Sequence, residues 1–407
     1  TGSGSPPPRA PDFGTEEAAP PPPAADPPVA QGYSPRRDVV RALRRKQALG
    51  LKQERLVALQ DQVAAAAQGG GDADAAAEPT TPTPLARMLD GGLDDDAADD
   101  DDDEHDPTRR LPGFGEPWAE QKERIRRSSP IGNEPGWGLL SCIVKSNDDL
   151  RQEVCALQII AACDDAFRAA GLSGDRTGLW LRHYSIVPTG ASTGIIETMS
   201  DAISLDSLKK SKGYRDLRTH LAAAHGGDGS ARLARARRAF ISSHAAYSLV
   251  SHILGLKDRH NGNILIDSKG HVVHIDFGFL LGQAPGGSFS LERVPFKLTA
   301  EHVDAMGGWQ SDGFADFVVL LCCGFTALQR HATRILQLVE VMARDSPFPC
   351  FKDGTKAVDK MRRRMMLHLT SNEQVAAHVA ELVRQSYNAY GTRQYDSFQY
   401  LTNGIYS

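Results

Sequence analysis

The stretch at residues 257–280, KDRHNGNILIDSKGHVVHIDFGFL, constrains the fold of this chain more than any other. Two short apolar runs flank the polar segment 268–270, and this pattern predicts a tight β-hairpin. Asp258 and Asn263 precede the hairpin, and Asp276 of the sequence D-F-G follows it. A hairpin would bring these two acids and the amide together, as needed to hold divalent metal on a nucleotide. The spacing D-x-x-x-x-N before D-F-G therefore predicts phosphoryl transfer.

The N-terminal part of the chain has a composition of its own. Residues 1–35 are rich in Pro and Ala with few bulky apolar side chains, so we expect them to be disordered. Residues 36–67 predict a basic amphipathic helix, which could dock on a partner or an acidic membrane, or pack on its own domain. Residues 68–117 predict an acidic low-complexity linker, which like-charge repulsion keeps extended.

Cysteine content and hydropathy limit the compartment and the relation to membranes. The six cysteines form no C-x-x-C pair and lie mostly in apolar, periodic stretches, which predicts buried thiols in a reducing compartment. Because no run of about 18 apolar residues appears, no transmembrane helix is expected, and membrane contact would be peripheral.

The remainder predicts an α+β fold with two lobes. A small β-rich lobe is expected over residues 118–197 and a larger, mainly helical lobe over 198–407, with a hinge at 197–199. In the small lobe we expect a buried strand at 139–144, a helix at about 149–170, and strands at 184–188 and 194–198. In the larger lobe the helical pattern recurs at about 231–255, 299–306, 312–343, 355–366 and 371–390.

Lys145 and Glu153 form a candidate pair in the small lobe. The lysine ends a predicted strand and the acid follows on the next helix, as in the kinase pair that holds the nucleotide phosphates. A lysine at a strand end often simply reaches solvent, so the pair gains its meaning from the acids near the hairpin. Ser128 and Ser129 precede this strand where a phosphate-covering loop is expected, although no G-x-G-x-x-G is present and an ordinary β-turn is the alternative.

Around the hairpin, Asp258 and His260 are candidates for steering the acceptor hydroxyl, since a catalytic carboxylate need only accept its hydrogen bond as charge develops. His274 alternates with apolar residues in a strand, which indicates a structural role. We expect Arg259 to pair with a nearby carboxylate and Asn261 to brace the loop.

Three stretches resemble the phosphatidylinositol kinase superfamily: KSNDDLRQE at 145–153, KDRHNGNIL at 257–265 and HIDFGF at 274–279. The order D-R-H-x-x-N, in place of the H-R-D of protein kinases, marks this superfamily. The segments FKLT, DAMGG and YDSFQYLTNGI are most similar to the type III phosphatidylinositol 4-kinases of the beta kind. The likeness covers roughly residues 119–407 and leaves out the first 110.

This resemblance implies a protein-kinase-like fold and a lipid kinase that uses ATP to phosphorylate the 4-hydroxyl of phosphatidylinositol. Lys145, Glu153, Ser128 and Ser129 would contact or brace the nucleotide phosphates. The adenine would face the hinge at Glu197 and Met199, above Leu265 and Ile275. Asp258, His260 and Lys145 would act at the transferring phosphate, while Asn263 and Asp276 would bind Mg²⁺, with Mn²⁺ as an alternative.

The resemblance also implies cellular surroundings: phosphatidylinositol in a membrane, peripheral attachment to the cytoplasmic side of the Golgi or other endomembranes, a recruiting small GTPase or adaptor protein, and no nucleic acid. Phe279, where many 3-kinases have histidine, follows the 4-kinase pattern. In the loop at 279–297, Arg293 and Lys297 are opposed by Glu292, and this net charge of +1 suits a headgroup with a single phosphodiester.

Two other functions and one segment stay open. A protein kinase of a related branch is disfavoured by the short loop, which lacks an obvious peptide platform. A non-enzymatic scaffold is disfavoured because Lys145, Asp258, Asn263 and Asp276 are all present. The aromatic stretch at 395–406 could press on a bilayer or pack on the larger lobe.

Overall fold

The computed structural model describes residues 109–174, 178–287 and 292–407. The predictions for residues 1–35, 36–67 and most of 68–117 lie outside the described residues. Within the described ranges, two three-stranded antiparallel sheets lie among helices, which confirms the α+β fold class.

The small lobe holds the first sheet and two helices. Its elements in chain order are α1 Trp118–Ser128, β1 Cys142–Ser146, α2 Arg151–Ala169, β2 Ile186–Gly190 and β3 Thr193–Glu197. The strand order is β1-β3-β2. Helix α2 contacts β2 and, in the large lobe, two helices that begin at Asp312 and Ala332.

The large lobe begins with the second sheet, whose strand order is β4-β5-β6. Its first elements are β4 Ala202–Ser204, α3 Leu205–Lys210, α4 Leu217–Ala224, α5 Ala231–Leu254, β5 Ile264–Asp267 and β6 Val272–His274. Helices then follow at α6 Ala300–Ala305, α7 Asp312–Arg330, α8 Ala332–Ala343, α9 Thr355–Arg364, α10 Asn372–Ser386 and α11 Tyr390–Asn403. Short 3-10 helices cover Asn261–Asn263 and Pro349–Phe351.

Helix α5 is the central support of the site. The Ser230 hydroxyl accepts the N–H of Leu233 at its start, and Gly255 ends it in a left-handed conformation with φ 60°. Helix α7 packs against α5, and at Gly324 a Cβ atom would stand 2.5 Å from a methyl carbon of Leu249. The missing side chain at Gly324 leaves room for this Leu249 methyl group, so α7 and α5 pack closely.

Helix α7 is long and apolar enough, by length and composition, to cross a membrane. However, 56% of its apolar window is buried, and Phe317 and Phe325 lie fully within the core of the large lobe. Its composition is accounted for by core packing.

The structure corrects the predicted strand at 139–144. The strand starts at Cys142, and its apolar side chains are not buried: Val144 is 75% exposed. The register pairs Val144 with Ile195 and Ile195 with Val187, so one apolar row crosses the outer face of the sheet. Among the described residues, α2 lies on the opposite face, where a Cβ on Gly194 would meet Leu150.

Two further differences concern the helices. The predicted helix at 312–343 is two helices, because His331 both ends α7 and begins α8. The helix predicted to reach residue 390 stops at Ser386, where extended Tyr387 forms a bridge with Leu298. The cysteines are free thiols, of which Cys163 and Cys350 are buried but Cys142 is exposed.

Candidate active site

The loop before the second-sheet hairpin and the loop after it run side by side. The backbone N–H of Lys257 donates to the Phe279 carbonyl at 2.9 Å, and that of Ile275 donates to the Asn263 carbonyl at 3.1 Å. Strands β5 and β6 pair antiparallel as the hairpin required. These bonds bring the chain at Asp258 and Asn263 beside the D-F-G segment.

The buried side chain of Arg259 joins the two loops by hydrogen bonds. Its guanidinium is 2% exposed and donates to the carbonyls of Ile275, at 2.8 Å, and Asp276. Its Nε donates to the Lys257 carbonyl at 3.0 Å. The expected side-chain partner was a carboxylate; the guanidinium binds carbonyls instead, because it fills a buried space between two backbone turns.

Glu292 supplies the carboxylate at a different point. It is buried and accepts the backbone N–H groups of Asp258 and of Arg259, the latter at 3.1 Å. Burial raises the pKa of Glu292, while Lys257 and Arg259 oppose that rise. The sequence prediction had placed this acid in the headgroup loop, and the structure corrects it: Glu292 braces the catalytic loop.

The structure also corrects the role predicted for Lys297, which does not face the headgroup. Its Nζ is buried and donates to Asp396 at 2.7 Å and to Asn261 at 3.1 Å. Asn261 in turn donates to the Tyr406 carbonyl at 2.8 Å, which agrees with the bracing role predicted for it. Of the charged residues in the described part of the loop at 279–297, Arg293 is the exposed one.

Asp258 and His260 lie next to each other at the front of the site. The Tyr395 hydroxyl donates to Oδ1 of Asp258, and His260 Nε2 lies 3.7 Å from the same oxygen. His260 Nδ1 accepts the Gly262 N–H at 3.1 Å, and burial lowers the pKa of His260. A neutral imidazole that accepts at Nδ1 carries its hydrogen on Nε2, so Nε2 is a donor and not a base.

Asn263 and Asp276 present oxygen atoms suited to a divalent metal. Asn263 Nδ2 donates to the Asp258 carbonyl at 3.0 Å, which leaves its Oδ1 available. Asp276 Oδ1 accepts the Gly278 N–H at 3.2 Å. One carboxylate and one amide oxygen fit Mg²⁺, which takes few protein ligands and completes its octahedron with phosphates and water.

Lys145 and Glu153 do not form the predicted pair. Lys145 Nζ binds Asp148 Oδ2 at 3.3 Å, whereas Glu153 lies buried on α2. Burial and the neighbouring Asp276 raise the pKa of Glu153 to about 7. The lysine turns to Asp148 because that acid lies three residues away on the exposed side of the turn, where both remain partly hydrated.

The remaining nucleotide-site residues occupy the small lobe and the floor of the cleft. Ser128 lies in the last turn of α1, with its hydroxyl on the Ile125 carbonyl at 3.0 Å, so a covering loop would start at Ser129. Ser129 Oγ accepts the Ile131 N–H at 3.4 Å. Phosphate contacts by these serines stay a prediction.

The predicted hinge follows β3. The Glu197 side chain binds Arg182 at 3.0 Å and the Ser185 N–H at 2.9 Å, and adenine contacts at this hinge stay a prediction. Met199, Leu265 and Ile275 are half-buried and pack on the core of the large lobe.

Two buried polar residues were missed by reasoning from the sequence. Gln152 donates to the Gly278 carbonyl at 2.8 Å and accepts the Cys350 N–H at 3.1 Å, so it joins α2 to the D-F-G segment. Tyr395 reaches Asp258 from α11. The only available signal was their place within the stretches RQE and YDSFQY, since periodicity does not show which polar groups are buried.

Comparison with known proteins agrees with this geometry. The family described as phosphatidylinositol 3- and 4-kinase matches residues 140–352, which is more than half of the chain. A phosphatidylinositol 4-kinase of Dictyostelium discoideum is 43% identical over 72% of this chain and 24% of that protein. Phosphatidylinositol 4-kinase beta 1 of Arabidopsis thaliana is 44% identical over 72% and 26%. Phosphatidylinositol 4-kinase beta of Xenopus tropicalis is 40% identical over 74% and 37%.

The chain thus spans between about a quarter and two fifths of the length of these relatives. The matched region contains Lys145, the loop at 257–265 and the D-F-G segment, and the fold places the last two side by side. The chain belongs to the phosphatidylinositol 3- and 4-kinase family.

Proposed function

We propose that this chain is a lipid kinase that transfers the γ-phosphoryl group of ATP to the 4-hydroxyl of phosphatidylinositol. The observation that carries the proposal is the joining of the Asp258–Asn263 loop to the D-F-G segment by Arg259 and by the Ile275–Asn263 bond. A kinase needs a hydroxyl-orienting acid beside its metal ligands, and the placement of Asp258 beside Asn263 and the D-F-G segment supports this proposal.

In the proposed mechanism the acceptor hydroxyl hydrogen-bonds to Asp258 and passes its proton there as the new P–O bond forms. The bond from the γ-phosphorus to the leaving ADP oxygen breaks at the same centre. His260, with its hydrogen on Nε2, donates to a transferring-phosphate oxygen, and Asp258 is therefore the base. Asn263 and Asp276 would hold Mg²⁺, or Mn²⁺ as an alternative, which supplies charge neutralisation.

Lys145 would leave Asp148 for the nucleotide phosphates, because its present ion pair lies in water and is weak. Burial of Glu153 beside the phosphate-binding region then places an acid where the lysine arrives. The Lys145–Glu153 pair belongs, in this proposal, to the nucleotide-bound state.

Phosphatidylinositol itself is the proposed acceptor. Phe279 and the names of the relatives support the 4-hydroxyl. With Glu292 and Lys297 turned inward, Arg293 is the exposed charged side chain in the described part of the loop, which suits one phosphodiester better than several phosphates.

Contact with the membrane is proposed through α11. Leu401 is 82% exposed and Phe398 is also exposed, while Tyr395 on the same helix touches the catalytic acid. Apolar side chains at this position would enter the bilayer interface beside the site. Attachment to the Golgi or another endomembrane, and a recruiting small GTPase or adaptor, rest on the resemblance alone.

The test is an assay of the chain with radiolabelled ATP, Mg²⁺ and phosphatidylinositol vesicles, followed by identification of the product isomer. The expected product is the 4-phosphate, and Asp258→Asn should reduce its formation by about 10³-fold. A 3-phosphate product would overturn the choice of hydroxyl. Labelled protein without labelled lipid would instead support a protein kinase.

A further inference from the structure

One face of α11 carries a chain of hydrogen bonds that ends on the catalytic acid. Tyr395, Gln399 and Asn403 follow at intervals of four residues, so they lie on the same side of the helix. Asn403 Nδ2 donates to Gln399 Oε1 at 2.6 Å, and Gln399 Nε2 donates to the Tyr395 oxygen at 2.6 Å. The tyrosine therefore uses its own hydrogen to donate to Asp258 Oδ1.

The position of Tyr395 is set by contacts that do not involve Asp258. The next residue, Asp396, binds Lys297 at 2.7 Å, and the two side chains are 9% and 2% exposed. Asn261 donates to the Tyr406 carbonyl, and the Tyr406 N–H donates to Asp206 Oδ1 at 2.8 Å. The chain is thus anchored at Asp396 within α11 and again at Tyr406 beyond its end, and these anchors set the direction from which the tyrosine reaches the acid.

This contact leaves the two oxygens of Asp258 unequal. Oδ1 holds the Tyr395 hydroxyl and lies 3.7 Å from His260. Within the described residues, Oδ2 has no hydrogen-bond donor. A carboxylate torsion has no sharp preference of its own, so an external donor is needed to keep one oxygen in place.

We propose that Tyr395 is a positioning residue for phosphoryl transfer: its hydroxyl holds the Asp258 carboxylate so that Oδ2 is left to receive the acceptor hydroxyl. This inference rests on the lipid kinase function proposed above. Without the tyrosine hydroxyl the carboxylate rotates, and the acceptor loses orientation while the nucleotide keeps its contacts. Loss of orientation lowers the rate of the chemical step more than it lowers binding.

The test compares Tyr395→Phe with a matched control, Tyr390→Phe, which removes the same hydroxyl from an exposed position at the start of α11. In Tyr395→Phe we expect kcat for lipid phosphorylation to fall about 10- to 100-fold, with the KM for ATP within about 2-fold. Hydrolysis of ATP by water, which does not depend on the lipid hydroxyl, should fall less, so the ratio of lipid product to ADP decreases. The control should keep the parent values.

In Tyr395→Phe the side-chain amide of Gln399 loses the tyrosine oxygen that accepts its hydrogen bond. A double variant, Tyr395→Phe with Gln399→Leu, also removes this unpaired donor. It should keep the reduced kcat, because the missing donor to Asp258 is the cause. Restoration of kcat in the double variant would overturn the inference, as would an unchanged product ratio in Tyr395→Phe. If the parent chain makes no lipid product, the proposed function fails and this inference falls with it; an active parent with an unaffected Tyr395→Phe variant removes the inference alone.

Discussion

At the scale of single residues, the two acids of the site share an unusual backbone. Asp258 has φ 64° and Asp276 has φ 60°, in the left-handed region that aspartate and asparagine tolerate better than most residues. Such conformations cost on the order of 1–3 kcal/mol and persist where the surroundings over-determine them. Here Glu292 holds the N–H of Asp258, and Arg259 holds the carbonyl of Asp276.

Asparagine is therefore the right replacement for testing Asp276. Asp276→Asn keeps a side chain that tolerates the left-handed backbone but removes the charge that the metal requires. We expect the turnover of ATP to fall by about 10³-fold at any Mg²⁺ concentration. Thermal melting should change by only a few degrees. Parent-like turnover would show that Asp276 is not a metal ligand.

Glu153 offers a prediction with a definite sign. Its pKa of about 7 in the folded chain lies above the ordinary glutamate value of 4.5, so the folded state binds more protons between these values. The contribution of Glu153 to the free energy of unfolding is therefore fully present below pH 4.5 and decreases as pH rises toward 7. In the nucleotide-free chain at pH 8, Glu153→Gln should raise the free energy of unfolding, by about 3 kcal/mol.

The same variant should phosphorylate lipid more slowly, since Lys145 then lacks its acid in the nucleotide-bound state. Urea denaturation at pH 5 and pH 8, together with the lipid assay, measures both effects. An equal effect on stability at the two pH values would contradict the assigned titration of Glu153.

The residues around the catalytic loop show which parts of the site could be predicted from the sequence. The closeness of Asp258, Asn263 and Asp276 could be predicted because it depends on spacing around one hairpin. Glu292 and Tyr395 could not, because each approaches the catalytic loop from more than 30 residues away and its partner is chosen by tertiary packing.

At the scale of elements, α11 is held to the large lobe by a buried ion pair, Lys297–Asp396. Removing one partner leaves a buried charge without compensation, which typically costs about 3–5 kcal/mol. We expect Asp396→Ala to lower the free energy of unfolding by that amount. The double variant Lys297→Met, Asp396→Leu should recover most of it, because it removes both charges and fills the space.

Equilibrium denaturation in urea measures both variants. If Asp396→Ala has the same free energy of unfolding as the parent chain, α11 is not anchored by this ion pair. Lipid phosphorylation by the double variant then reports whether the helix still delivers Tyr395.

Element prediction from sequence succeeded where an apolar period met a clear cap. Helix α5 and the β5–β6 hairpin agree closely with the prediction. The split at His331 was missed because the apolar pattern continues through it, and α11 was weighed only as an aromatic surface. Strand β1 was expected to be buried because apolar runs usually are, yet the described residues cover only one face of its sheet.

At the scale of the whole molecule, the large lobe buries histidines whose protonation at acidic pH should destabilise the folded state. His244 is buried between Phe240 and Phe317, and neither ring nitrogen has a hydrogen-bond partner among the described residues. Burial lowers the pKa of His244 to about 3. Its folded pKa lies below the usual 6.5, so its contribution to stability is present above pH 6.5 and is lost as pH falls toward 3.

At pH 5 this linkage amounts to about 2 kcal/mol for one such histidine. His244→Phe, which suits the surrounding aromatic rings, should remove that share of the acid sensitivity. The measurement is the free energy of unfolding in urea at pH 5 and pH 7.5 for both chains. An identical pH dependence in the two chains would show that His244 titrates normally in the folded state.

The apolar row of Val144, Ile195 and Val187 also bears on how this polypeptide behaves in concentrated solution. The row crosses a small sheet whose outer strands, β1 and β2, each have one unpaired edge among the described residues. A water-facing apolar face beside open strand edges promotes the joining of sheets from different chains. Residues 109–407 prepared alone should therefore self-associate reversibly as the protein concentration rises. Replacing Val144 with a polar residue should reduce this self-association.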